Sequence, residues 1–448
     1  MNFYKRVITS ILMKRLGTTL LLLLIVFLVI GLYACKQERH RQWQYDIVQF
    51  RDHTLAWHPR FVDENLMILP QNVELRETFE ESVDALLDAV SGLTNFEIKV
   101  EIQRTVALLQ DNHFYFGIDG EGFLSSLLAE RYPLMFGWFV DGWYLYQSCV
   151  DFSDALNYRL IAINDTPLEE IFEAFKSFWS LENIYDARDG FARILNAPLV
   201  LKALKVVDES QVIYTFIDSV GETFEIILTT SLPENEILYN EQLQDRRFAG
   251  ALPLFHQNSP LGQEQYVWYV FVPEDGILYL RFTVYRPLPP ESLNVLEQSM
   301  QNIFTDYEVE AMIIDARGNL GGDHSPFKLL FRQLAADAPP NMLFYFADEG
   351  SRSASLLAAD YLERLGAIIV GQPLGQATEF YGFYGGSSPP WQTHLTYSQL
   401  RISVPNEAWN VRASEDNVFR PHVLIDYTID DWIHNRDPLY DYVLDLLN

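Results

Sequence analysis

Two short segments in the last third of the chain contain residue types that could carry out acyl transfer. Gly321 and Gly322 end a segment that begins as a hydrophobic strand, and Ser353 precedes a helical pattern. A serine that attacks an acyl carbon needs backbone N–H groups directed at the developing oxyanion, and glycine lets the backbone approach the substrate without a Cβ atom. The two segments therefore predict a nucleophilic serine beside an oxyanion site. We expect the N–H groups of Gly322 and Ala354 to be its donors.

The same residues also have purely structural interpretations. Serine is a favoured N-cap residue, so Ser353 could serve to cap the helix that begins near Ala354. Gly321 and Gly322 could form a tight turn from strand to helix, although an anion-binding nest of backbone N–H groups requires the same geometry. These segments alone leave both interpretations open.

The elements around these segments alternate between strand and helix. Hydrophobic strands are predicted at 277–282, 311–315, 342–346 and 367–370. Helices are predicted between them at 291–304, 326–334 and 354–365. This alternation indicates parallel crossover units, and open α/β sheets bind ligands beyond the carboxyl ends of their strands. Gly322 and Ser353 both fall at such ends.

The chain before this block is less regular. From about 78 to 110 the pattern is helical, and apolar residues share one face of it: Ile98, Ile102, Val106 and Leu109. An aromatic-rich run over 111–116 then predicts the start of a strand. Between 133 and 228, short strands, two hairpins and a helix over 168–178 predict a mixed α+β region.

We therefore expect an α/β protein of several domains, because 448 residues are many for one hydrophobic core. The predicted divisions are a leader or anchor over 1–35, a helical segment over 36–115, a mixed domain over 116–235 and an α/β core over 236–448. A loop rich in glycine, serine and proline over 382–390 is expected at the surface.

The composition excludes some classes of function. Hydrophobic residues make up 49% of the chain, as expected of a globular protein. The formal net charge is -29, with 61 acidic against 32 basic residues. An acidic surface gains no counterion-release energy from a polyanion, so we expect no nucleic-acid partner. The histidines lack the close spacing of a zinc site, and we expect neither metal nor cofactor.

The N-terminus has the pattern of an export signal. An uncharged stretch over 16–34 follows four cationic residues, Lys5, Arg6, Lys14 and Arg15. The stretch ends at Cys35 in a segment that resembles a bacterial lipobox, which predicts a lipid-anchored protein outside the cytoplasmic membrane. An uncleaved signal anchor is the alternative, because the stretch is long enough to span a bilayer. With Cys35 lipidated, Cys149 would have no disulfide partner.

The block from about 277 onward resembles the catalytic core of the tail-specific and tricorn-type serine peptidases, a fold similar to the crotonase and Clp peptidase core. Four segments match in the family's order: 313–322, 353–355, 369–373 and 418–444. The middle region is similar to the family's PDZ-like or linker domain. The resemblance implies a peptidase that acts on peptides or unfolded proteins through an acyl-enzyme.

Two catalytic plans exist in that family, and this chain fits one of them. The tail-specific enzymes use a lysine about two dozen residues after the serine, where this chain has Gln376, and lysine is absent from 329–448. A glutamine cannot accept a proton at neutral pH. The tricorn-like plan uses a histidine from an Asp-x-His segment, which Asp111 and His113 match. His113 would then be the general base for Ser353, although a histidine at a helix end can also be a structural cap.

The tricorn-like plan also implies a carboxylate that orients the histidine. Glu415 lies at a suitable distance before the tail motif, the matching segment over 418–444, and is our choice, with Glu407 and Glu379 as alternatives. A non-catalytic protein that binds peptides or apolar ligands on the same scaffold is the competing functional class. The sequence does not indicate an oligomeric state.

Overall fold

The computed structural model describes residues 2–62, 69–118, 121–148, 150–207, 211–229, 266–383, 392–412 and 414–448. The α-helices are α1 Asn2–Trp57, α2 Val73–Ala89, α3 Asn95–Ala107, α4 Phe123–Leu127, α5 Leu168–Lys176, α6 Ile184–Ile194, α7 Pro198–Ala203, α8 Pro290–Asp306, α9 Lys328–Asp337, α10 Ala354–Arg364, α11 Ile429–Ile433 and α12 Pro438–Leu447. The strands are β1 Tyr115–Ile118, β2 Glu121–Gly122, β3 Leu134–Phe139, β4 Gly142–Ser148, β5 Arg159–Ile163, β6 Thr166–Pro167, β7 Gln211–Ile217, β8 Thr223–Thr229, β9 Val267–Val272, β10 Ile277–Phe282, β11 Ala311–Asp315, β12 Leu343–Ala347, β13 Ile368–Gly371, β14 Glu379–Gly382, β15 Gln392–His394, β16 Arg401–Ser403, β17 Glu407–Asn410 and β18 Val423–Leu424.

The C-terminal half is built on a six-stranded sheet in the order β18-β13-β12-β11-β10-β9. The strands from β10 to β18 pair in parallel, and β9 adds an antiparallel edge. The predicted α/β core with parallel crossovers is confirmed, and β10 and β11 have the predicted bounds. Because the sheet is covered on both faces, its central strands are continuously hydrophobic.

Alternate side chains of these strands enter two separate cores. Leu280 and Ile314 pack in the core that contains residues of α8, α9 and α10. Tyr279 and Ile313 pack on the opposite face, with Leu439 of α12. The layers on both faces fix the sheet, so the loops at its carboxyl edge extend from a rigid base.

The N-terminal region contributes α1, α2 and α3. The helical pattern predicted over 78–110 is two helices, because Thr94 begins a new helix with a capping box to Glu97. The four apolar residues predicted to share one face of this region are all buried. The chain then turns through 111–114 into β1, which pairs with β16 from the C-terminal half. That pairing fixes the segment containing His113 to the C-terminal half of the chain.

The middle region is an antiparallel sheet in the order β3-β4-β5-β7-β8, with the short β6 paired to β5. The mixed α+β character predicted here is confirmed. Pro167 directly precedes the helix predicted over 168–178, where a proline is expected to occupy the first helical position. It lies instead in β6, because Asn164 and Asp165 adopt positive φ angles and turn the chain back on β5. After β6, α5 and α6 pack beside the sheet and lead toward the core.

The leader and loop predictions are only partly covered by the described residues. Cys35 is exposed within α1. Among the helices in the described part of the chain, none has a stretch long and apolar enough to cross a membrane. Cys149 and most of the surface loop predicted over 382–390 lie outside the described residues. The lipid anchor and its alternative therefore stay predictions.

Candidate active site

Ser353 lies on a sharp turn between β12 and α10. Its backbone angles are φ 51° and ψ -120°, a conformation that an L-residue adopts at a cost in free energy. The serine nucleophile of α/β hydrolases also occupies a strained turn from strand to helix, which exposes its hydroxyl. Ser353 occupies the N-cap position of α10, but its hydroxyl makes no capping hydrogen bond in the described structure. The interpretation of Ser353 as a simple cap therefore fails.

The structure brings His113 to this serine across 240 positions of sequence. The Nε2 atom of His113 lies 3.3 Å from the Oγ atom of Ser353. The imidazole ring packs near the ring of Phe380, with 5.8 Å between centroids. The separation of nitrogen and oxygen is within reach of a nucleophile and base, whose hydrogen bond is often long without substrate.

The surroundings of His113 favour its neutral form. Burial lowers the pKa of the imidazole below its usual value, and the nearby guanidinium of Arg352 acts in the same direction. The carboxylate of Asp111 opposes them and raises the pKa. A neutral imidazole at pH 7 can accept the Ser353 proton, whereas an imidazolium cannot.

Two carboxylates lie close to His113. One oxygen each from Asp111 and Glu182 and one ring nitrogen of His113 all lie within 4.8 Å of one another. The Oδ1 atom of Asp111 accepts the backbone N–H of His113 at 2.8 Å. No described residue forms a hydrogen bond with the buried Nδ1 atom of His113. The charge of Asp111 can therefore stabilise an imidazolium electrostatically, and the same side chain fixes the turn that carries the ring.

Asp111 is itself held by a second histidine from the end of α1. The Nε2 atom of His58 lies 3.1 Å from Oδ2 of Asp111, and both side chains are buried. The Nδ1 atom of His58 accepts the backbone N–H of Arg60 at 3.1 Å, so the ring proton is on Nε2 and faces Asp111. Burial lowers the pKa of His58 and keeps the ring neutral.

Glu182 reaches the site through the start of α6. Asn183 caps that helix and donates its side-chain N–H to the carbonyl of Leu374 at 3.1 Å, joining α6 to the segment after β13. The Glu182 carboxylate accepts the backbone N–H groups of Asn112 at 3.3 Å and Ala377 at 3.0 Å. Burial, with the neighbouring carboxylates of Asp111 and Asp186, raises its pKa well above the usual value.

The structure does not bring Glu415 to His113. Glu415 is exposed and is not among the described residues that line the Ser353 cavity. Its two alternatives are also exposed: Glu407 is in β17, and Glu379 is in β14, where it accepts a hydrogen bond from Asn410. Asp111 and Glu182 therefore replace Glu415 as the carboxylates next to the histidine.

Gln376, at the position where the resemblance implies a lysine, has a direct structural role. Its Oε1 atom accepts the backbone N–H of Ser353 at 2.8 Å, and its Nε2 atom donates to Glu182. The N–H of Ser353 is therefore engaged and is not an oxyanion donor. Ala354 is the first residue of α10. Its N–H has no acceptor within the helix, because the first N–H groups of a helix have no intrahelical partner.

The glycine turn packs directly on the serine. Gly321 has φ +101°, and a Cβ atom there would lie 2.6 Å from Cβ of Ser353 and 2.9 Å from the backbone nitrogen of Ala354. Gly322 pairs with Tyr285 in a parallel bridge that uses the carbonyl of Gly321 and the N–H of Asp323, but not the N–H of Gly322. The N–H groups of Gly322 and Ala354 thus belong to two backbone segments in contact beside Ser353.

Arg317 and Asn319 brace this turn. Arg317 pairs with Asp315 at 2.7 Å and with Asp437 at 2.8 Å. The side chain of Asn319 accepts the N–H of Gly321 at 2.8 Å and donates to the carbonyl of Phe282 at 2.9 Å. These contacts anchor the turn to β10, β11 and the C-terminal tail, as expected of residues with a structural role.

We expect Gly321→Ala to lower kcat/KM by at least about a hundredfold, because the new Cβ atom displaces Ser353 and small displacements of reacting groups cost about that much. Gly366→Ala is the matched control, since Gly366 has φ +98° but no atom within 4 Å of the added Cβ. The control should lose about 1 kcal/mol or more of stability to backbone strain and keep its activity. Equal activity in the two variants would contradict the assigned packing.

Ser353 and His113 open onto a cavity of about 470 Å³. Its walls are mostly apolar, and the apolar lining residues are Phe114, Phe116, Phe123, Leu124, Leu128, Trp179 and Leu320. Arg352 also lines the cavity, but its guanidinium is paired with Asp186 and Asp189 at 2.8 Å each. A cavity of this kind accepts an apolar group next to the serine.

Asp111, His113 and Glu182 are also the group of described residues that could hold a metal ion. Their oxygens, however, already accept the backbone N–H groups of Asn112, His113 and Ala377. A metal ion at this position would compete with those contacts and with the use of His113 as a base.

Comparisons with known proteins identify the fold. A structure of mature CPAF matches 91% of this chain and 96% of its own length, with 12% identity and a TM-score of 0.58. The chain has a fold similar to that of CPAF. A CPAF structure complexed with lactacystin gives a TM-score of 0.57 at 11% identity, with coverage of 91% and 97%.

A structure of the photosystem II D1 C-terminal processing protease covers 86% of this chain at 12% identity, but its TM-score of 0.39 is too low to add to the argument. No protein-family model and no curated protein matches the chain. At these identities the two CPAF structures show a shared fold, and the α/β core expected from the sequence is confirmed.

Proposed function

We propose that this protein is a serine peptidase of the tricorn-like type, related to the tail-specific peptidases. The observation that carries the proposal is the 3.3 Å approach of the His113 imidazole to the Ser353 hydroxyl across 240 residues, at a strained turn. The similarity to CPAF supports the proposal, because the fold found in that comparison is the one that the peptidase motifs of the sequence predict. Fold alone does not determine activity, so the proposal depends on the geometry of the site.

In the proposed mechanism, Oγ of Ser353 attacks the carbonyl carbon of a peptide bond while His113 takes the hydroxyl proton on Nε2. The carbonyl oxygen becomes an oxyanion, which the N–H groups of Ala354 and Gly322 stabilise. Collapse of this intermediate breaks the C–N bond, and His113 gives its proton to the leaving amine. Water, deprotonated by His113, then hydrolyses the ester on Ser353 and restores the hydroxyl.

The negative charge of Asp111 stabilises the imidazolium that forms in both steps. Glu182 and Gln376 position the segments that carry the reacting groups. Gln376 accepts a hydrogen bond from the backbone of Ser353, and Glu182 accepts hydrogen bonds from Gln376 and from the backbone of Asn112. This differs from a triad in which a carboxylate bonds directly to Nδ1 of the histidine. The electrostatic contribution still favours the charged ring, because opposite charges lie close together in a partly dry site.

The cavity indicates the substrate class. Its apolar walls accept a large apolar side chain next to the scissile bond, and its described lining carries no carboxylate to attract a basic one. Folded proteins bury such side chains, so peptides and unfolded proteins are the expected substrates. Mass spectrometry of an unstructured peptide mixture after incubation with the protein tests this. We expect new ends adjoining leucine or phenylalanine, and an unchanged mixture would favour a non-catalytic binding protein.

The activity should persist into mildly acidic solution. Because burial lowers the pKa of His113 below 6.5, the base is neutral at pH 7 and is protonated only in more acidic solution. We therefore expect kcat/KM to rise with pH through an apparent pKa below 6.5 and to be level at neutral pH. A limb with a midpoint above 7 would contradict the assignment of His113 as the base.

We further propose that the protein is tethered outside the cytoplasmic membrane through its N-terminus. The support is the cationic start, the apolar stretch over 16–34 and Cys35. Cells fed a labelled fatty acid should incorporate the label into the wild-type protein and not into Cys35→Ala. Absence of label from wild-type protein that remains in the membrane fraction would favour the uncleaved anchor.

A further inference from the structure

A second, smaller cavity lies at the carboxyl edge of the core sheet. Its volume is about 50 Å³. The loops after β11, β12 and β13 contribute Arg317, Asp348, Glu349 and Gln372, and the remaining wall comes from β3, β4, α6 and the C-terminal tail. This edge is where open α/β sheets bind ligands. Asp189 lines this cavity and Arg352 lines the larger one. The ion pair between these two side chains separates the two cavities.

Glu349 presents an unsatisfied carboxylate oxygen at this cavity. Its side chain is buried, with 5% of the residue exposed. The Oε1 atom pairs with Arg188 at 3.2 Å, whereas Oε2 has no hydrogen-bond partner among the described residues. Burial raises the pKa of this carboxyl to about 8. A buried carboxyl oxygen without a partner is costly, and an ammonium group placed beside it would donate to that oxygen and favour the ionised form of Glu349.

The other walls suit a cation that carries an apolar stem. Aromatic side chains make up much of the lining: Trp138, Phe139, Tyr146, Tyr427 and Trp432. Guanidinium groups of the chain already lie over two of these rings, Arg188 over Trp138 at 4.6 Å and Arg317 over Tyr427 at 5.7 Å. Aromatic faces attract ammonium groups, while Na⁺, K⁺ and Ca²⁺ prefer oxygen ligands. Arg317 is the single basic residue in the described lining, and its charge is balanced by Asp315 and Asp437. Neither Arg317 nor Arg188, which pairs with Oε1 of Glu349, therefore occupies Oε2 of that carboxyl.

The size of the cavity limits the ligand to a small head group. A cavity of about 50 Å³ has room for only a few atoms of water size, since one water molecule needs about 10–15 Å³ of such space. We propose that this cavity binds the head group of a primary alkylammonium ion, with the Glu349 carboxylate as its partner and the aromatic rings beside the carbon next to the nitrogen. A lysine side chain and the N-terminus of a peptide share this chemistry. The site is independent of the proposed hydrolysis at Ser353.

Calorimetric titration of the full chain with n-butylammonium chloride tests the proposal. We expect saturable binding, with an affinity at least tenfold lower in Glu349→Gln. The exposed Glu308 lies before β11, and Glu308→Gln is the matched control that should bind like the wild type. Equal affinity in Glu349→Gln and the wild type would overturn the proposal. Equal binding of n-butanol or of KCl would overturn it too, because either would remove the need for an ammonium group.

Two further arms define the source and guard against misfolding. Stronger binding of Nα-acetyl-lysine amide supports a lysine side chain as the natural ligand, and stronger binding of alanine amide supports a peptide N-terminus. If neither compound binds, the proposal is overturned. Trp432 is partly exposed, so Trp432→Leu should fold even if Glu349→Gln does not. It keeps the carboxylate and removes a ring, and several-fold weaker binding of n-butylammonium is expected. Unchanged binding in this variant would contradict the role of the aromatic wall.

Discussion

Replacement of Ser353 by alanine is expected to lower kcat/KM for peptide hydrolysis by at least about a thousandfold, because no acyl-enzyme can form without the hydroxyl. Residual hydrolysis would come from the oxyanion donors and from substrate binding, which remain. The fold should survive, since the Ser353 hydroxyl does not cap α10. Hydrolysis rates for the purified variant, compared with its thermal unfolding curve, measure both effects.

Ser355→Ala is the matched control for this variant. Ser355 lies two residues further along the chain, in the first turn of α10. It is buried, and its hydroxyl contacts the Tyr345 hydroxyl at 2.9 Å. Loss of that hydrogen bond should cost about 1 kcal/mol of stability and leave hydrolysis intact. If Ser353→Ala retains the wild-type rate, or if Ser355→Ala is the inactive variant, Ser353 is not the nucleophile.

Replacement of His113 by alanine is expected to have an effect of similar size, because nucleophile and base act as one unit. Without a base 3.3 Å from Oγ, the Ser353 hydroxyl keeps its proton at neutral pH. The rising limb of the pH profile that belongs to the imidazole should disappear with the ring. Initial rates measured from about pH 5 to about pH 9, a range that spans the ordinary histidine pKa, show this change.

His394→Ala is the control for that experiment. His394 is exposed in β15, so removal of its ring should change neither the rate nor the pH profile. Glu182→Gln should give an intermediate loss, roughly tenfold to a hundredfold, because it disturbs Gln376 and Asn112 without removing a reacting group. Wild-type activity in His113→Ala would show that another group is the base.

The sequence allowed much of the core to be predicted because its strands are buried on both faces. Residues 277–282 and 311–315 form continuous apolar runs, and their predicted bounds agree with β10 and β11. The pattern over 78–110 predicts helical structure but not the position of the capping box at Thr94, which begins α3. Hydrophobic pattern determines where elements lie more strongly than where they end.

The site was predictable only in part. Ser353 and His113 lie in short motifs that the sequence alone identifies, and the structure places the two side chains together. Glu182 has no such signal, because an isolated acidic residue in sequence is usually solvated and only the contact between α6 and the segment after β13 brings it to the site. The choice of Glu415 failed because it rested on sequence distance from the tail motif, which does not determine burial.

The role of Gln376 shows the same distinction. Sequence reasoning established that it cannot be a base. Its bridge from the backbone of Ser353 to the carboxylate of Glu182 depends on Gly375, where a Cβ atom would lie 2.2 Å from the carbonyl oxygen of Glu349. That close approach of two loops is a tertiary feature, which local patterns do not encode.

Reaction of the folded protein with a fluorophosphonate, followed by tandem mass spectrometry, tests the central claim most directly. The reagent phosphonylates a serine hydroxyl that a neighbouring base activates. The account predicts one adduct, located on Ser353, formed by the wild type and greatly reduced in His113→Ala. An unmodified Ser353 in folded wild-type protein, or an adduct that forms equally fast without His113, would contradict it.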